Sequence, residues 1–514
     1  MKKFQFLFLS LFCFCFFSNV NAQKLKLGAL ERGSKKYTPR VLGEDEKYIY
    51  VIGWITEYGF GEVQIEAYDK TNNNTRKYAY PIRHPKIKGQ FVRLVSTVLL
   101  KDEVFAFYSY FDKKAKKSNL FVKRIDKHTG QFKGEKQELL SIDDEYGYYY
   151  GHYFIQASED KSKILVSYNV RYVLYNQEME VLHDSKTKGL GENNYSIIDN
   201  DGSIYYIRFK DMNLYVGSYD ANRDFEKWEE KINVEFEKVE DLYLHNVRLN
   251  INKKNELTVT GLVSSKSEKK EDMALCGALY INLDRESKEV KISRYNKFKS
   301  EFLDQFKTAR DIKKNKAVKV KKTFNSAKVV DKEDGGVLCI FEYYRNEGDR
   351  YSNKQYIEYG DVVIVNFSKE GELLWANRVP KKQVFSWTRY LYLVTSTKGI
   401  RPYFSPLDWR TERYFSYSSG LFDDKLIIIH NDTKKNIGKN MEDKFDKFKK
   451  TRGMVTVKYE FDLKTGERKK ELYTDLANHQ TIFSPNSDYQ KTENTNLILF
   501  GIKGNKHSFH TYGK

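Results

Sequence analysis

A strand–turn–strand signature recurs seven times along this chain, and it limits the fold more than any other feature. It reads RVLGEDEKYIYVIGWI at 40–55, VRLVSTVLLKDEVFAFYSY at 92–110, FIQASEDKSKILVSY at 154–168 and SIIDNDGSIYYIR at 196–208. It returns as VRLNINKKNELTVTGLV at 247–263, VVDKEDGGVLCIFEYY at 329–344 and SSGLFDDKLIIIH at 418–430. Each copy joins two strand-forming runs through a short turn of Asp, Asn, Gly or Lys, the pattern of a β-hairpin. A second such element follows several copies, with turns at Asp126–Gly130, Ser368–Gly371 and Asp462–Gly466. Two hairpins make four antiparallel strands. One such sheet cannot cover both of its faces, whereas a ring of sheets packed face to face can.

The chain is therefore expected to be all-β, a β-propeller of four-stranded antiparallel blades with short helical inserts. Blades should recur at intervals of about 40–90 residues. Seven are expected, with six and eight left open. The N-terminal strand and the run LILFGIKGN should share the blade that closes the ring. An aromatic content of 15% suits packing between blades.

The repeat also decides how the acids Asp331, Glu333 and Asp334 are read. They occupy the place held elsewhere by GEDEK, LKDE, SEDKS, DNDG, NKKN and FDDK. Seven equivalent turns do not each need an active site. Asp and Gly belong there because tight turns need positive φ and local side-chain caps. DNDG at 199–202 lacks the later Glu and the flanking helices of a calcium loop. The turns also lack the Ser-x-Asp-x-Gly-x-x-Trp box of sialidase-like propellers.

The chain opens with Lys2 and Lys3, an apolar run from Phe4 to Phe17, and then Val20 and Ala22. This is a secretory leader, residues 1–22, with cleavage expected after Ala22. The run is too short for a membrane span of about 20 residues. Phe12 and Phe14 stand where a lipidated Cys would need a small residue before it. Residues 23–514 are then one exported propeller domain, with inserts near 296–324, 380–417 and 437–452, no transmembrane segment and a place in the envelope. Cys276 and Cys339 lie in apolar strand-like runs, in no metal-binding spacing, as a bonded pair or two free thiols. The formal charge of +19 comes from lysines spread among 70 acids. It fits mild attraction to anionic glycans or lipid headgroups at the membrane periphery better than nucleic-acid binding.

Three regions depart from the repeat. In 296–310, Phe298, Phe302, Leu303 and Phe306 share a helical face, which predicts a helix packed across the ring. In 437–452, Met441, Phe445 and Phe448 predict a second short helix. The third is QVFSWTRYLYLVTSTKGIRPYFSPLDWRTERYFSY at 383–417. Trp, Tyr and Arg dominate binding hot spots, and aromatic faces beside guanidinium groups suit sugars and carboxylates. The candidate contact residues are Trp387, Arg389, Tyr403, Trp409 and Arg410; the alternative is a further strand pair whose aromatics pack between blades. A weaker candidate is the tyrosine run Tyr146, Tyr148, Tyr149 and Tyr150.

No catalytic motif stands out. The nine histidines are dispersed, and there is no His-Glu-x-x-His, nucleophile elbow or phosphate loop. His507 and His510 are spaced for one metal but fall in what reads as a frayed tail, so no metal or cofactor is expected. The reading is a non-enzymatic binding or scaffold protein of the cell envelope that recognises a protein or a glycan. The alternative is a carbohydrate-active hydrolase or lyase with acids converging on the central channel.

The runs FLDQFKTARDIKKNKAVKVKKTF, VVDKEDGGVLCIFEYY, YGDVVIVNFSKEGELLWANRVPKKQ and SSGLFDDKLIIIHND resemble a family of uncharacterised, exported propeller-like proteins of Bacteroidetes. The resemblance covers roughly residues 290–435 and brings no catalytic residues. It implies a Gram-negative periplasm or cell surface. The C-terminal KGNKHSFHTYGK does not look like a sandwich-type sorting domain, so periplasmic or outer-membrane-associated residence is expected ahead of an extracellular one.

Overall fold

The computed structural model describes residues 24–513 apart from short stretches, the longest being 55–62, 187–194, 235–241, 407–414, 474–481 and 490–496. The expected leader and Tyr146, Tyr148, Tyr149 and Tyr150 lie outside the described residues. The chain forms eight antiparallel sheets, each a blade. Blade 1 runs Thr38–Glu44, Tyr48–Trp54, Val63–Asp69 and Thr75–Ile82, and the other blades repeat this meander. First strands of successive blades approach one another, and that of blade 8 (Ile482–Tyr489) meets that of blade 1, so the first strands line the centre of a closed ring.

The blade count is thus eight where seven was expected. Blade 8 combines Ile482–Tyr489, Leu497–Lys503 and Lys506–Gly513 with Lys24–Lys26 as its outermost strand. Leu25 pairs with Tyr512, so the two ends of the chain do share the closing blade. The blade escapes a repeat search because one strand comes from the other end of the sequence. Its first two strands are also joined by QKTENTN rather than by a tight Asp-Gly turn.

Blade interiors are covered on both faces, so their central strands read as unbroken apolar runs rather than alternating ones. In Lys425–Thr433 every residue but the two ends is buried. Val362, Val363, Ile364 and Val365 have no exposure at all. Each seam between neighbouring blades holds its own apolar cluster. Tyr50, Ile52 and Val63 of blade 1 meet Val104, Ala106 and Tyr108 of blade 2. Leu338, Ile340 and Val362 of blade 6 meet Ile428, Val457 and Tyr459 of blade 7. Cys339 is buried and Cys276 half-buried, and both are free thiols.

Two of the inserts differ from their sequence reading. The segment 296–310 gives two five-residue helices, Ser300–Asp304 and Ala309–Lys313, instead of one. Thr308 ends the run by capping the second, accepting from the Asp311 N–H while the Asp311 carboxylate accepts from the Thr308 N–H. Phe298 and Phe302 are still buried, in the seam between blades 5 and 6, with Leu303 and Phe306 packed against them. Residues 437–447 form no α-helix. Asn436 holds this loop instead: its amide donates to Asp432 and to the Asp446 carbonyl, and its side-chain oxygen accepts from the Asp446 N–H. Local side-chain bonds of this kind compete with helix formation. Phe445 is buried, and Phe448 lies outside the described residues.

The C-terminus is not a frayed tail. His507 and His510 are 3% and 0% exposed, within blade 8. Gly28 N–H donates to Nδ1 of His510 at 3.1 Å, Ala29 N–H to the Asn73 carbonyl at 2.9 Å, and the Asn74 amide to the Phe509 carbonyl at 2.9 Å. The Tyr68 hydroxyl lies 2.8 Å from Nε2 of His507. These bonds fasten the N-terminal segment and blade 8 to blade 1.

A Cβ on Gly28 would fall 1.9 Å from the Phe509 carbonyl oxygen. Gly28→Ala is therefore expected to destabilise the ring by about 1–3 kcal/mol, read as a lower denaturant midpoint; an unchanged midpoint would show that the closing seam does not limit stability. Burial, with Arg76 adding to it, holds His507 down to about 3, and burial with Lys381 does the same for His430. Unfolded histidines titrate near pH 6.5, at about 6.5, so the unfolded chain binds more protons below that value. The histidine contribution is complete above about pH 6.5 and is lost as pH falls toward about 3. Burial raises Asp432 to about 6, which offsets part of the loss. The denaturant midpoint should fall between about pH 7 and about pH 4, and less steeply in His507→Gln.

Candidate functional site

In each meander the turn between strands one and two and the turn between strands three and four lie at the same end of the blade. One face of the ring therefore gathers both sets of polar turns. Asp331, Glu333 and Asp334 sit here, and Asp334 caps its turn. Asp334 Oδ1 accepts from Gly336 N–H at 2.8 Å, beside Gly335 at φ +84°. Asp160 Oδ1 accepts from Ser162 N–H at 2.9 Å, and Asp201 Oδ1 from Ser203 N–H at 2.7 Å. Asn252 does the same in blade 5, accepting from Lys254 N–H and Glu256 N–H, both at 2.9 Å. Asp331 accepts both bonds from the Asn250 amide, at 2.9 and 3.1 Å.

Two depressions open on this face. One, of about 1130 Å³, spans blades 1 to 4 and is lined by Glu44, Asp45, Lys70, Lys127, Asp160 and Lys161 among others. The other, of about 630 Å³, spans blades 3 to 6, with Gln156, Asp199, Asn250, Lys253, Lys328 and Asp331 in its wall. Glu159 and Asn200 border both, so together they form one polar mouth over the channel.

A cation recurs in that mouth at a fixed place. Lys127 follows Asp126 in the second turn of blade 2 and reaches back to Asp45 of blade 1 at 3.1 Å. Its ammonium lies 4.7 Å from the centre of the Tyr50 ring, and the Tyr50 hydroxyl donates to Asp45 at 2.6 Å. Arg285 follows Asp284 in blade 5 and pairs with Asp199 of blade 4. Its guanidinium carbon lies 4.9 Å from the Tyr205 ring centre, and Nε donates to the Tyr205 hydroxyl at 3.0 Å. Burial alone would raise the Asp45 carboxyl, but Tyr50, Lys127 and the N–H groups of Tyr48 and Lys47 hold it down to about 2. Asp160 and Asp334 are also held low: burial works against this, and the N–H groups of Ser162 and Gly336 outweigh it, helped by hydroxyls or lysines. Sequence reading missed these cation–acid–tyrosine sets. Their signal was the DKHTG and DRESK turns, in which a cation follows Asp and pairs with an acid of the previous blade.

The aromatic–arginine insert lies at the opposite end of blade 6. Strands Val337–Gly348 and Lys354–Phe367 run past the blade, and the hairpin Gln383–Ser396 with Gly399–Pro406 adds to that extension. Gln355 pairs with Trp387, Arg389 with Pro406, and Tyr392 with Tyr403. In ladder register Tyr403 is out of phase with Trp387 and Arg389. Trp409 and Arg410 lie outside the described residues. The base of the insert is clamped by buried polar groups. Lys381 pairs with Glu342, the Ser416 hydroxyl donates to Glu342 at 2.7 Å, and the Gln383 oxygen accepts from Ser416 N–H at 2.7 Å.

Among the described residues no group of three or more His, Cys, Asp or Glu could hold a metal, and no helix is long and apolar enough to cross a membrane. No family model matches the chain, and no curated protein matches it. Solved structures that match include a protein of unknown function from Bacteroides caccae, 14% identical over 63% of this chain and 92% of that one, TM-score 0.26. A Bacteroides fragilis protein is 11% identical over 63% and 86%, TM-score 0.28. The polysaccharide lyase Uly1 is 9% identical over 84% and 93%, TM-score 0.36. Two of the three come from the phylum named by the sequence resemblance. At such scores none of them carries an argument about what this chain does.

If the recurring cation braces neighbouring blades, Lys127→Met should cost about 0.5–1.5 kcal/mol by removing one charged partner from Asp45, which keeps its bonds to Tyr50, Tyr48 and Lys47. Asp45→Asn combined with Lys127→Met should cost less than the sum of the two single changes. Additive effects in a double-mutant cycle would show that the pair is not coupled.

Proposed function

We propose that this chain is an exported, non-enzymatic binding or scaffold protein of the cell envelope, resident in the periplasm or at the outer membrane, that recognises a protein or glycan with its polar mouth. The observation that supports this most is the state of three carboxylates of the turn face. Asp45, Asp160 and Asp334 are all held low and spent as turn caps or ion pairs. Glycosidic cleavage by an acid pair needs one carboxyl raised and protonated. A rigid ring with an open polar concavity of about 1130 Å³ suits recognition without such a group. The insert residues Trp387, Arg389, Tyr403, Trp409 and Arg410 make a second candidate contact set.

One observation favours the hydrolase or lyase alternative. Asp199 and Asp331 line one depression, and Arg285 and the Tyr205 hydroxyl stand beside Asp199.

The test is retention of a panel of neutral and acidic polysaccharides, and of an envelope extract, on immobilised residues 23–514. Saturable retention with no release of reducing ends or unsaturated sugars is expected. Weakening by Lys161→Glu with Lys253→Glu would place the contact in the mouth; weakening by Trp387→Ala with Trp409→Ala would move it to the insert. Turnover of any polysaccharide, abolished by Asp199→Asn, would replace the binding reading with the enzymatic one.

A further inference from the structure

At the outer rim of the seam between blades 6 and 7 lies a separate cavity of about 350 Å³. Its walls are Pro380 at the end of blade 6, the loop Lys439–Glu442, and Tyr459, Arg468 and Lys470 of blade 7. Arg468 and Lys470 stand two apart on one strand, about 7 Å along it, and Lys470 is directly opposite Tyr459. Lys439 closes the other side, already paired with Asp446 at 2.8 Å.

Two features distinguish this cavity from the lysine-rich surface around it. The first is a pair of cations with no ion-pair partner. Among the described residues neither Arg468 nor Lys470 has a carboxylate within ion-pair distance. Arg468 Nη1 donates to the Arg378 carbonyl at 2.8 Å, and Lys470 Nζ donates to the Asn436 carbonyl at 2.9 Å. Neither makes another hydrogen bond with a described residue, although Lys470 Nζ lies 5.6 Å from the centre of the Phe445 ring. Both cations are held below their ordinary values by burial; Tyr459 works against this for Arg468 and Asp432 for Lys470, while Arg378 and Arg468 respectively add to it. The second is Tyr459, which is 2% exposed. Its hydroxyl makes no hydrogen bond with any described residue, and the residue lines the cavity. The hydroxyl opens onto the cavity, where a bound group can accept a hydrogen bond from it. The negative groups nearby are Glu442, in the wall, and Asp432, already committed to the Asn436 amide at 2.8 Å and the Thr433 N–H at 2.7 Å.

We infer that this rim cavity binds a dianionic oxyanion, phosphate or sulfate, through Arg468, Lys470 and the Tyr459 hydroxyl. Two cations without an ion-pair partner among the described residues suit a dianion. A guanidinium fork, an ammonium and a phenol supply converging donors for a tetrahedral group. The volume exceeds that of the bare ion and leaves room for one sugar ring, so the oxyanion has two sources: the free ion, or an ester on a carbohydrate. This site is independent of the polar mouth.

The test is thermal unfolding and calorimetric titration of residues 23–514 with inorganic phosphate, inorganic sulfate and glucose 6-phosphate, against chloride at matched ionic strength. A saturable rise in midpoint with phosphate or sulfate, absent with chloride, is expected. Affinity should fall at least about tenfold in Lys470→Gln and in Arg468→Gln, the loss of one charge-assisted bond. Tyr459→Phe keeps the packing and should weaken binding several-fold, which covers the case in which Arg468→Gln fails to fold. Lys444→Gln with Lys447→Gln, outside the cavity, should change nothing. Tighter binding of the ester than of the ion assigns the cavity to a sugar ester; equal binding assigns it to the free ion. No saturable response to any of the three, or equal weakening by the Lys444 and Lys447 changes, overturns the proposal.

Discussion

A sheet that is apolar on both faces has no stable place at a surface, and that constraint shapes this whole molecule. The central strands of the blades bury residues on both sides, as Val362–Val365 and Lys425–Thr433 do. Each blade needs two neighbours, and only a closed ring gives every blade two. Closure with no unpaired seam then requires the last blade to meet the first. The polar bonds of Gly28, Asn74, Tyr68, His507 and His510 all fall at that junction. Apolar packing dominates the seams, and hydrogen bonds of fixed geometry add register here as they do where Asn250 meets Asp331 and Trp375 meets the Leu463 carbonyl.

The same constraint separates structural polarity from functional polarity. Turns at one end of every blade must reverse the chain tightly, so they collect Asp, Asn and Gly whatever the ring does. Asp45, Asp160, Asp201 and Asp334 each accept from a backbone N–H two or three residues on. The cations that reach back from the next blade, Lys127 and Arg285, pair with Asp45 and Asp199. What needs explaining is therefore polarity left over after the turns are satisfied. On the turn face that leaves Gln156 Oε1, buried in the mouth wall with no hydrogen-bond partner among the described residues. At the rim of the blade 6–7 seam, Arg468, Lys470 and Tyr459 are left over.

Much of the architecture was legible in the sequence, because hairpin turns and apolar runs are local signals. The seven turns at 40–55 through 418–430 open blades 1 to 7 in order. Blade 8 was not counted, because pairing between Leu25 and Tyr512 leaves no local trace. The helical face of Phe298, Phe302 and Phe306 was legible as burial but not as one helix, since Thr308 is a stronger cap than the periodicity shows. The loop after Thr433 was misread for a related reason: the amide of Asn436 bonds across ten residues to Asp446. Site chemistry was least legible. The rim cavity is built from Pro380, the 439–442 loop and a blade 7 strand, which come together only when two blades pack.

The shared closing blade has a consequence for how the ring comes into being. Lys24–Lys26 pairs only with Lys506–Gly513, from the opposite end of the chain. In a chain that emerges N-terminus first, the earliest strand is an orphan until the latest one exists. Blades 1 to 7 can each form from contiguous sequence, but the clasp must wait for the whole chain, and contacts of such separation are slow to form. Until then the assembly is an arc with apolar blade faces at both ends. Its vulnerability to sticking to other chains is therefore a matter of timing, set by the interval between synthesis of Leu25 and arrival of Tyr512.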